Sequence, residues 1–372
     1  MKKIGITGQN GFIGQHLYNT LGLHPEEFQR VDFDKVFFEN EEKFDQFVSQ
    51  CDVIVHLAAM NRHNDPNVIY KTNIELVKKL TASLERTKSK AHILMSSSSQ
   101  EENDNLYGKS KKEGRTLLSQ WAEKNNGKFT GMVIPNVFGP FGHPYYNSVV
   151  ATFSHQVAHG ETPKIEVDGQ LKLIYVGELV EEIIKSIREE KNEFLYKVDH
   201  TAEAKVSEIL SLLEAYKSEY QINGEIPAIN NTFELNLFNT YRCYMDIKNH
   251  FPVKFTQHTD PRGSFVEVIR LGVGGQVSFS TTVPGITRGN HFHTRKIERF
   301  AVIKGKALIQ LRRIGTDEVL DFYLDGEEPA YVDMPIWYTH NIKNIGEDVL
   351  YTNFWINEFY NPEDADTFFE DV

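Results

Sequence analysis

Residues 4–14 read IGITGQNGFIG, and this stretch decides how the N-terminal half is read. Ile4–Thr7 is a short apolar run closed by glycine, and Phe12–Leu21 has helical spacing. Between them stand Gly8, Gly11 and Gly14. Such a strand–loop–helix turns tightly and lets the backbone approach a pyrophosphate. The helix start then offers unpaired N–H groups and the positive end of its dipole. The blander reading is a glycine turn with no ligand. The strand before it and the helix after it favour the phosphate cradle.

Working outward, Asp52–Ala59 (DVIVHLAA) is a continuous apolar strand, as expected for a parallel strand covered on both faces. Asn73–Leu84 reads as an amphipathic helix and His92–Met95 as a buried strand before a serine run. Asn105–Lys124 opens loosely and then runs helical to Trp121, Gly131–Pro135 is a further strand, and Val206–Tyr216 is a clear helix. Strands alternating with helices predict a Rossmann-type, doubly wound α/β domain with a parallel sheet. From about residue 250 the period drops to two, in Ser264–Arg270, Gln276–Thr282, Arg299–Ile303, Ala307–Arg313, Ala330–Val332 and Val349–Trp355. Short strands punctuated by turns predict a second, all-β domain of sandwich or barrel type. The boundary is placed at residues 1–245 and 246–372.

The whole chain has 372 residues and a net charge of −12, with 40% hydrophobic residues. This is an ordinary globular mix, and an acidic one, so nucleic acid and anionic membrane surfaces are not expected partners. No apolar run approaches the ~20 residues of a membrane span. Two cysteines, Cys51 and Cys243, cannot make a disulfide framework, which fits a reducing, cytoplasmic setting.

Three further features carry chemistry. Tyr107 and Lys111, in YGKSK, share a helix face at i and i+4. An ammonium beside a phenol favours the phenolate and would lower its pKa from about 10. The Ser96–Ser99 run supplies a hydroxyl for a reacting carbonyl oxygen. The segment FQRVDFDK after the second strand offers Arg30, Asp32 and Asp34 to a cofactor ribose or its 2′-phosphate. In the second domain stands G-x5-H-x-H-x4-E-x6-G, as Gly285, His291, His293, Glu298 and Gly305. Later comes P-x4-H-x3-N, as Pro335, His340 and Asn344. His291 and His293 project from one face of a strand, and Glu298 and His340 are expected from neighbouring strands. Three imidazoles and a carboxylate suit Zn²⁺, Fe²⁺, Mn²⁺ or Ni²⁺ rather than Ca²⁺ or Mg²⁺.

The G-x-x-G-x-x-G spacing, HLAA at 56–59, Asn73, YGKSK and PNVFGP at 135–140 together resemble the extended short-chain dehydrogenase/reductases. The resemblance implies a nicotinamide cofactor bound by Gly8, Asn10, Gly11, Phe12, Gly14, Arg30, Leu57, Ala58, Tyr107 and Lys111. It implies Tyr107 as proton donor, Lys111 as its partner and Ser98 as the carbonyl-binding hydroxyl, with Ser97 and Ser99 one residue away. Asn136 would face the substrate. The histidine spacing resembles the cupins, with Trp337 standing where the second motif commonly has glycine. DPRGSFVE at 260–267 and TRGNHFH at 287–293 also resemble nucleotide-sugar 3,5-epimerases. There the residue matching His291 is a base, so His291 has two competing roles, ligand and base. If it is a ligand, Lys296, His258 and Tyr338 are the other basic groups in range. Arg262 and Gly263 also fit a plain tight turn.

The order of these parts resembles the bifunctional capsular-polysaccharide enzymes that join an extended reductase to a cupin. That family implies a UDP-4-keto-6-deoxy sugar substrate, epimerisation at C3 in the cupin and reduction of the C4 ketone with NADPH. It also implies a divalent metal, Zn as first choice, held by His291, His293, Glu298 and His340, and a homodimer. The alternative is a nucleotide-sugar 4-reductase whose cupin only supports structure or dimerisation.

Overall fold

The computed structural model describes residues 1–261 and 263–372. Arg262, half of the turn read from the sequence, lies outside the described residues. The chain forms two compact units. The first comprises 1–152 and 168–206, the second 153–167 and 207–372. The change of period near 245 falls inside the second unit, where its helices give way to strands.

In the first unit, strands β1 (Lys2–Thr7), β2 (Phe28–Val31), β3 (Val53–His56), β4 (His92–Ser98) and β5 (Phe129–Ile134) are joined by Glu193–Lys197. They form a six-stranded parallel sheet in the order β2-β1-β3-β4-β5 followed by Glu193–Lys197. Helices α1 (Phe12–Leu21), α2 (Glu41–Gln50), α3 (Pro66–Arg86) and α4 (Leu106–Asn125) connect them. Caps fix the starts: Asn40 for α2, Asp65 with Pro66 at the first turn for α3, and Asn105 for α4. One apolar cluster (Phe44, Phe47, Leu80, Leu118) fills the face under α2, α3 and α4. The other (Ile6, Leu17, Leu21, Ile183) fills the face under α1 and Val176–Arg188. The sheet is therefore covered on both sides, which is why β3 is buried throughout. Strand order reverses between β1 and β3, and the region beyond the carboxyl ends at such a switch point is where sheets of this kind bind ligands.

The second unit is a two-sheet β structure. One sheet orders Val253–Lys254, Ala330–Met334, Glu298–Lys304, Leu350–Ile356 and Gln276–Thr282. The other orders Val319–Asp325, Lys306–Arg313, Tyr338–Asn344, Thr287–Phe292 and Phe368–Phe369. Phe300, Val302, Ile309, Leu311, Val332 and Ile342 fill the space between them. The helices that precede these strands are tied to them by buried charge. Arg299 chelates Asp333 at 2.8 and 2.9 Å, and Tyr220 donates to Asp333 at 2.7 Å. Arg242 donates to the Tyr220 hydroxyl at 3.2 Å and to the Met334 carbonyl at 2.9 Å. Among the described residues, no helix is long and apolar enough to cross a membrane.

The β1–α1 loop is built on close approach. Gly8 has φ +82°, in the left-handed region. A Cβ on Gly14 would lie 2.2 Å from the Gly8 carbonyl oxygen and 2.7 Å from that of Gln9. Gly14→Ala is therefore expected to lower the unfolding free energy by about 1–3 kcal/mol, the usual range for overpacking. A thermal melt unchanged from wild type would contradict the tight packing described.

Candidate functional site

The first site gathers at the carboxyl ends of β1, β3 and β4. The glycine loop is closed by Gly11 N–H donating to the Gly8 carbonyl at 2.9 Å. Gly11 caps α1 without a side-chain hydrogen bond. The first-turn N–H groups of α1 are thus left to a bound anion. Leu57 N–H donates to the Thr7 carbonyl at 3.0 Å, and a Cβ on Gly8 would lie 2.8 Å from Ala58 N. Leu57 and Ala58 therefore line the loop. Asn10 is exposed within it, and Phe12 is the first residue of α1.

The Arg30 side chain is held against α1. It lies on β2 opposite Ile4, short of the strand's end. Its guanidinium sits 4.3 Å over the Tyr18 ring and donates to the Tyr18 carbonyl at 3.3 Å. Asp32 accepts from the Tyr18 hydroxyl at 2.5 Å. Phe33 N–H donates to Gln9 Oε1 at 3.0 Å, which ties the end of β2 to the loop. Gln9 was not singled out by its sequence; its neighbours Gly8 and Gly14 carry the motif. Asn73 is another such residue in its structural role. Buried on α3, it exchanges hydrogen bonds with Met60 N–H (2.7 Å) and carbonyl (2.9 Å) and donates to Ser110 Oγ at 3.0 Å.

Tyr107 and Lys111 face the end of β4 from α4. Ser98 lies close enough to the Tyr107 phenol to oppose the effect of burial on it, and its Oγ accepts from Gln100 N–H at 3.2 Å. Ser97, by contrast, is buried and donates to Glu101, while Ser99 is exposed at the start of the next turn. Lys111 Nζ donates to the Ser96 carbonyl at 2.9 Å and lies 5.9 Å from the Tyr107 ring centre. A Cβ on Gly108 would lie 2.0 Å from the Gln100 carbonyl, so α4 can pack this closely only with glycine there. Asn136 is exposed at the start of Asn136–Phe138.

The electrostatics differ from the expectation of a lowered phenol. Burial pushes Tyr107 up to about 12, with Ser98 opposing and Tyr146 adding. Burial pushes Lys111 down to about 8, opposed by Glu101. Desolvation outweighs the ammonium because the ammonium is turned toward the Ser96 carbonyl. A phenol that keeps its proton at neutral pH is loaded as an acid, the form that reducing a ketone requires. His56, pushed down to about 3 by burial and by Lys111, stays neutral and bonds Thr7 Oγ1 at 2.7 Å.

The second site lies between the two β sheets of the second unit. His291, His293, Glu298 and His340 bring their donor atoms within 4.8 Å of one another. A bulge aims the first of them: Gly289 has φ +103°, Asn290 +58°, and the register shifts between Gly289 and His291. His291 then pairs with His340 on the adjacent strand. Glu298 comes from the start of a strand in the opposite sheet, not from a neighbour, so the four donors close from both sides.

Two imidazoles are held in the ligating tautomer. His340 Nδ1 lies 3.1 Å from the Tyr338 carbonyl, and His293 Nδ1 bonds the Asp366 carbonyl. A carbonyl only accepts, so each Nδ1 carries the proton and each Nε2 offers a lone pair. Both Nε2 atoms approach Glu298 Oε2, at 3.0 and 3.2 Å, yet all three atoms are buried without a hydrogen-bond partner. Orphaned donors of this kind fit a cation between them. His291 is half-buried and pushed down to about 4 by burial and by His340, so it is neutral. Trp337 takes glycine's place with φ +61°, its N–H donating to the His293 carbonyl at 2.8 Å and its ring stacked on Phe292. The left-handed turn is thus kept without glycine.

The other basic groups read from the sequence are placed as follows. Lys296 is buried and donates to the Ala365 carbonyl at 2.7 Å. His258 is exposed on Gln257–Asp260. Burial pushes the Tyr338 phenol up.

Ketone reduction at the first site is expected to fall as pH rises through about 8, where Lys111 loses its proton. A rate flat to pH 10 would contradict an essential ammonium.

Residues 4–198 match the NAD dependent epimerase/dehydratase family, and residues 258–368 match the polysaccharide biosynthesis C-terminal domain. A UDP-2-acetamido-2,6-beta-L-arabino-hexul-4-ose reductase of Pseudomonas aeruginosa is 30% identical over 371 residues, 98% of each chain. The crystal structure of the capsular polysaccharide assembling protein CapF from Staphylococcus aureus is 32% identical, covers 100% of both chains and has a TM-score of 0.61. RMD from Pseudomonas aeruginosa, complexed with NADPH, is 19% identical over 59% of this chain and 83% of its own, with a TM-score of 0.53. That last likeness is one of fold.

Proposed function

Because the chain belongs to the NAD dependent epimerase/dehydratase family and resembles CapF from end to end, we propose that it is a bifunctional nucleotide-sugar enzyme of polysaccharide synthesis. Its β unit epimerises a UDP-4-keto-6-deoxy-N-acetylhexosamine at C3. Its α/β unit reduces the C4 ketone with NADPH to a UDP-N-acetyl-6-deoxy-L-talosamine. The observation that carries the reductase reading is that Tyr107 and Lys111, on one face of α4, meet the end of β4, where Lys111 donates to the Ser96 carbonyl and Ser98 acts on the Tyr107 phenol.

Gly8, Gly11, Gly14, Leu57 and Ala58 would hold the nicotinamide cofactor, the loop cradling its pyrophosphate, and the bound cofactor would supply a hydride for C4. Ser98 and Tyr107 hold the carbonyl oxygen, and Tyr107 gives that oxygen its proton. Lys111 supplies positive charge beside the phenolate that remains. In the β unit, the 4-keto group acidifies the hydrogen at C3. A base removes that proton, and the enolate is reprotonated on the opposite face. A divalent cation, Zn²⁺ as first choice, would be held by His293, Glu298 and His340 and would stabilise negative charge on the enolate oxygen. His291, neutral and the half-buried histidine of the cluster, completes the ligand set or takes the proton. Metal content and exchange at C3, measured together on His291→Ala, separate these roles.

A homodimer belongs to the same reading. The hairpin Gln257–Asp260 with Gly263–Val266 pairs with no other strand among the described residues. Gln276–Thr282 is an edge strand with Val277 55% and Phe279 74% exposed. Unpaired strand edges and bare aromatics are what a second copy would cover.

Tyr107→Phe is expected to lower cofactor oxidation by about 10²–10⁴-fold while leaving solvent exchange at C3 intact. His340→Ala is expected to lose both bound metal, by elemental analysis, and that exchange. Full exchange in metal-free His340→Ala would show that the exchange needs neither His340 nor a bound cation.

A further inference from the structure

Tyr107, Lys111 and Arg115 stand at i, i+4 and i+8 on α4, so they share one face. The first two belong to the reductase site proposed above; the third does not touch it. Arg115 is 2% exposed by side chain and Glu101 7%, so their charges are buried together. The pair is bidentate, Nη2 to Oε2 at 2.6 Å and Nε to Oε1 at 3.0 Å. Arg115 also donates to the Phe194 carbonyl at 3.1 Å and lies 4.2 Å over the Phe194 ring. Glu101 accepts in addition from Ser97 Oγ. The carboxylate thus bonds β4 at Ser97 and α4 at Arg115. It belongs to the short turn that begins one residue after Ser98.

This pairing needs room made elsewhere. A Cβ on Gly131 would lie 2.4 Å from the Arg115 side chain, and one on Gly108 would strike the Gln100 carbonyl. Two glycines therefore permit the contact between α4 and the turn. A buried ion pair is weak as a stabiliser, since desolvation offsets most of its attraction. That makes its placement beside the site more telling than its strength.

We propose that Glu101 is a positioning residue of the reductase site: clamped by Arg115, it holds the Ser98 turn against α4 and supplies the counter-charge for the buried Lys111 ammonium. This rests on the reductase reading above. The groups facing Lys111 are few. From β3 comes His56, which is neutral. From the turn after β4 comes Glu101, whose charge opposes the effect of burial on Lys111. From α4 itself come Tyr107, which stays protonated, and Arg115, whose charge Glu101 already meets.

The test is the pH profile of cofactor oxidation by full-length protein, with a UDP-4-keto-6-deoxy-N-acetylhexosamine as substrate. In Glu101→Gln the alkaline limb should move down by about one pH unit or more, with the rate at pH 8 falling about tenfold and KM for the cofactor changed less than twofold. The double variant Glu101→Leu with Arg115→Met removes both charges and keeps the packing, so it should melt near wild type yet retain the displaced limb. A limb at its wild-type position in either folded variant overturns the proposal and leaves the pair a structural brace. A wild type that oxidises no cofactor overturns the reductase reading and this inference with it.

Discussion

The packing of α4 against the end of β4 is the contact on which the reductase site depends. Lys111 reaches the Ser96 carbonyl, Tyr107 meets Ser98, Gly108 admits the Gln100 carbonyl and Arg115 clamps Glu101. Each contact lies one helical turn or less from the next. A small shift of the helix would therefore loosen all of them together. The same dry packing explains the acid–base character of the site. Burial keeps the phenol protonated and makes the ammonium easier to lose. Reduction of a ketone needs a proton donor, so the direction of these shifts agrees with the direction of the chemistry.

The β unit uses burial differently. There, backbone carbonyls fix the proton on the outer nitrogen of His293 and His340, and the inner nitrogens are left facing Glu298. Three polar atoms without partners would be costly in a sealed core. A cation between them would remove that penalty. The bulge at Asn290 and the left-handed turn at Trp337 are local strains next to this cluster, where such strain commonly serves to aim side chains.

Much of this was legible in the sequence, and for identifiable reasons. Periodicity located Phe12–Leu21, Val206–Tyr216 and Gln276–Thr282 with their observed bounds; Gly22 closes the first, whereas the second runs on into a further helical segment, Lys217–Ile222. The helix holding Asn73 is longer than its apolar stripe, running Pro66–Arg86, since capping by Asp65 and Pro66 extends it past the residues that pack. The strands Thr287–Phe292 and Tyr338–Asn344 escaped the period-two reading because their inward positions hold histidine and asparagine. The histidine spacing located them instead. Glu101 and Arg115 carried no motif at all; only the fold brings them together.

The central claim is that one chain both epimerises at C3 and reduces at C4. Product mass and NMR after turnover of the UDP-4-keto-6-deoxy-N-acetylhexosamine with NADPH in D₂O test it most directly. The account predicts one carbon-bound deuterium at C3 and one cofactor hydrogen at C4 in the same molecule. A product carrying the cofactor hydrogen but no deuterium at C3 would contradict it and leave a reductase alone.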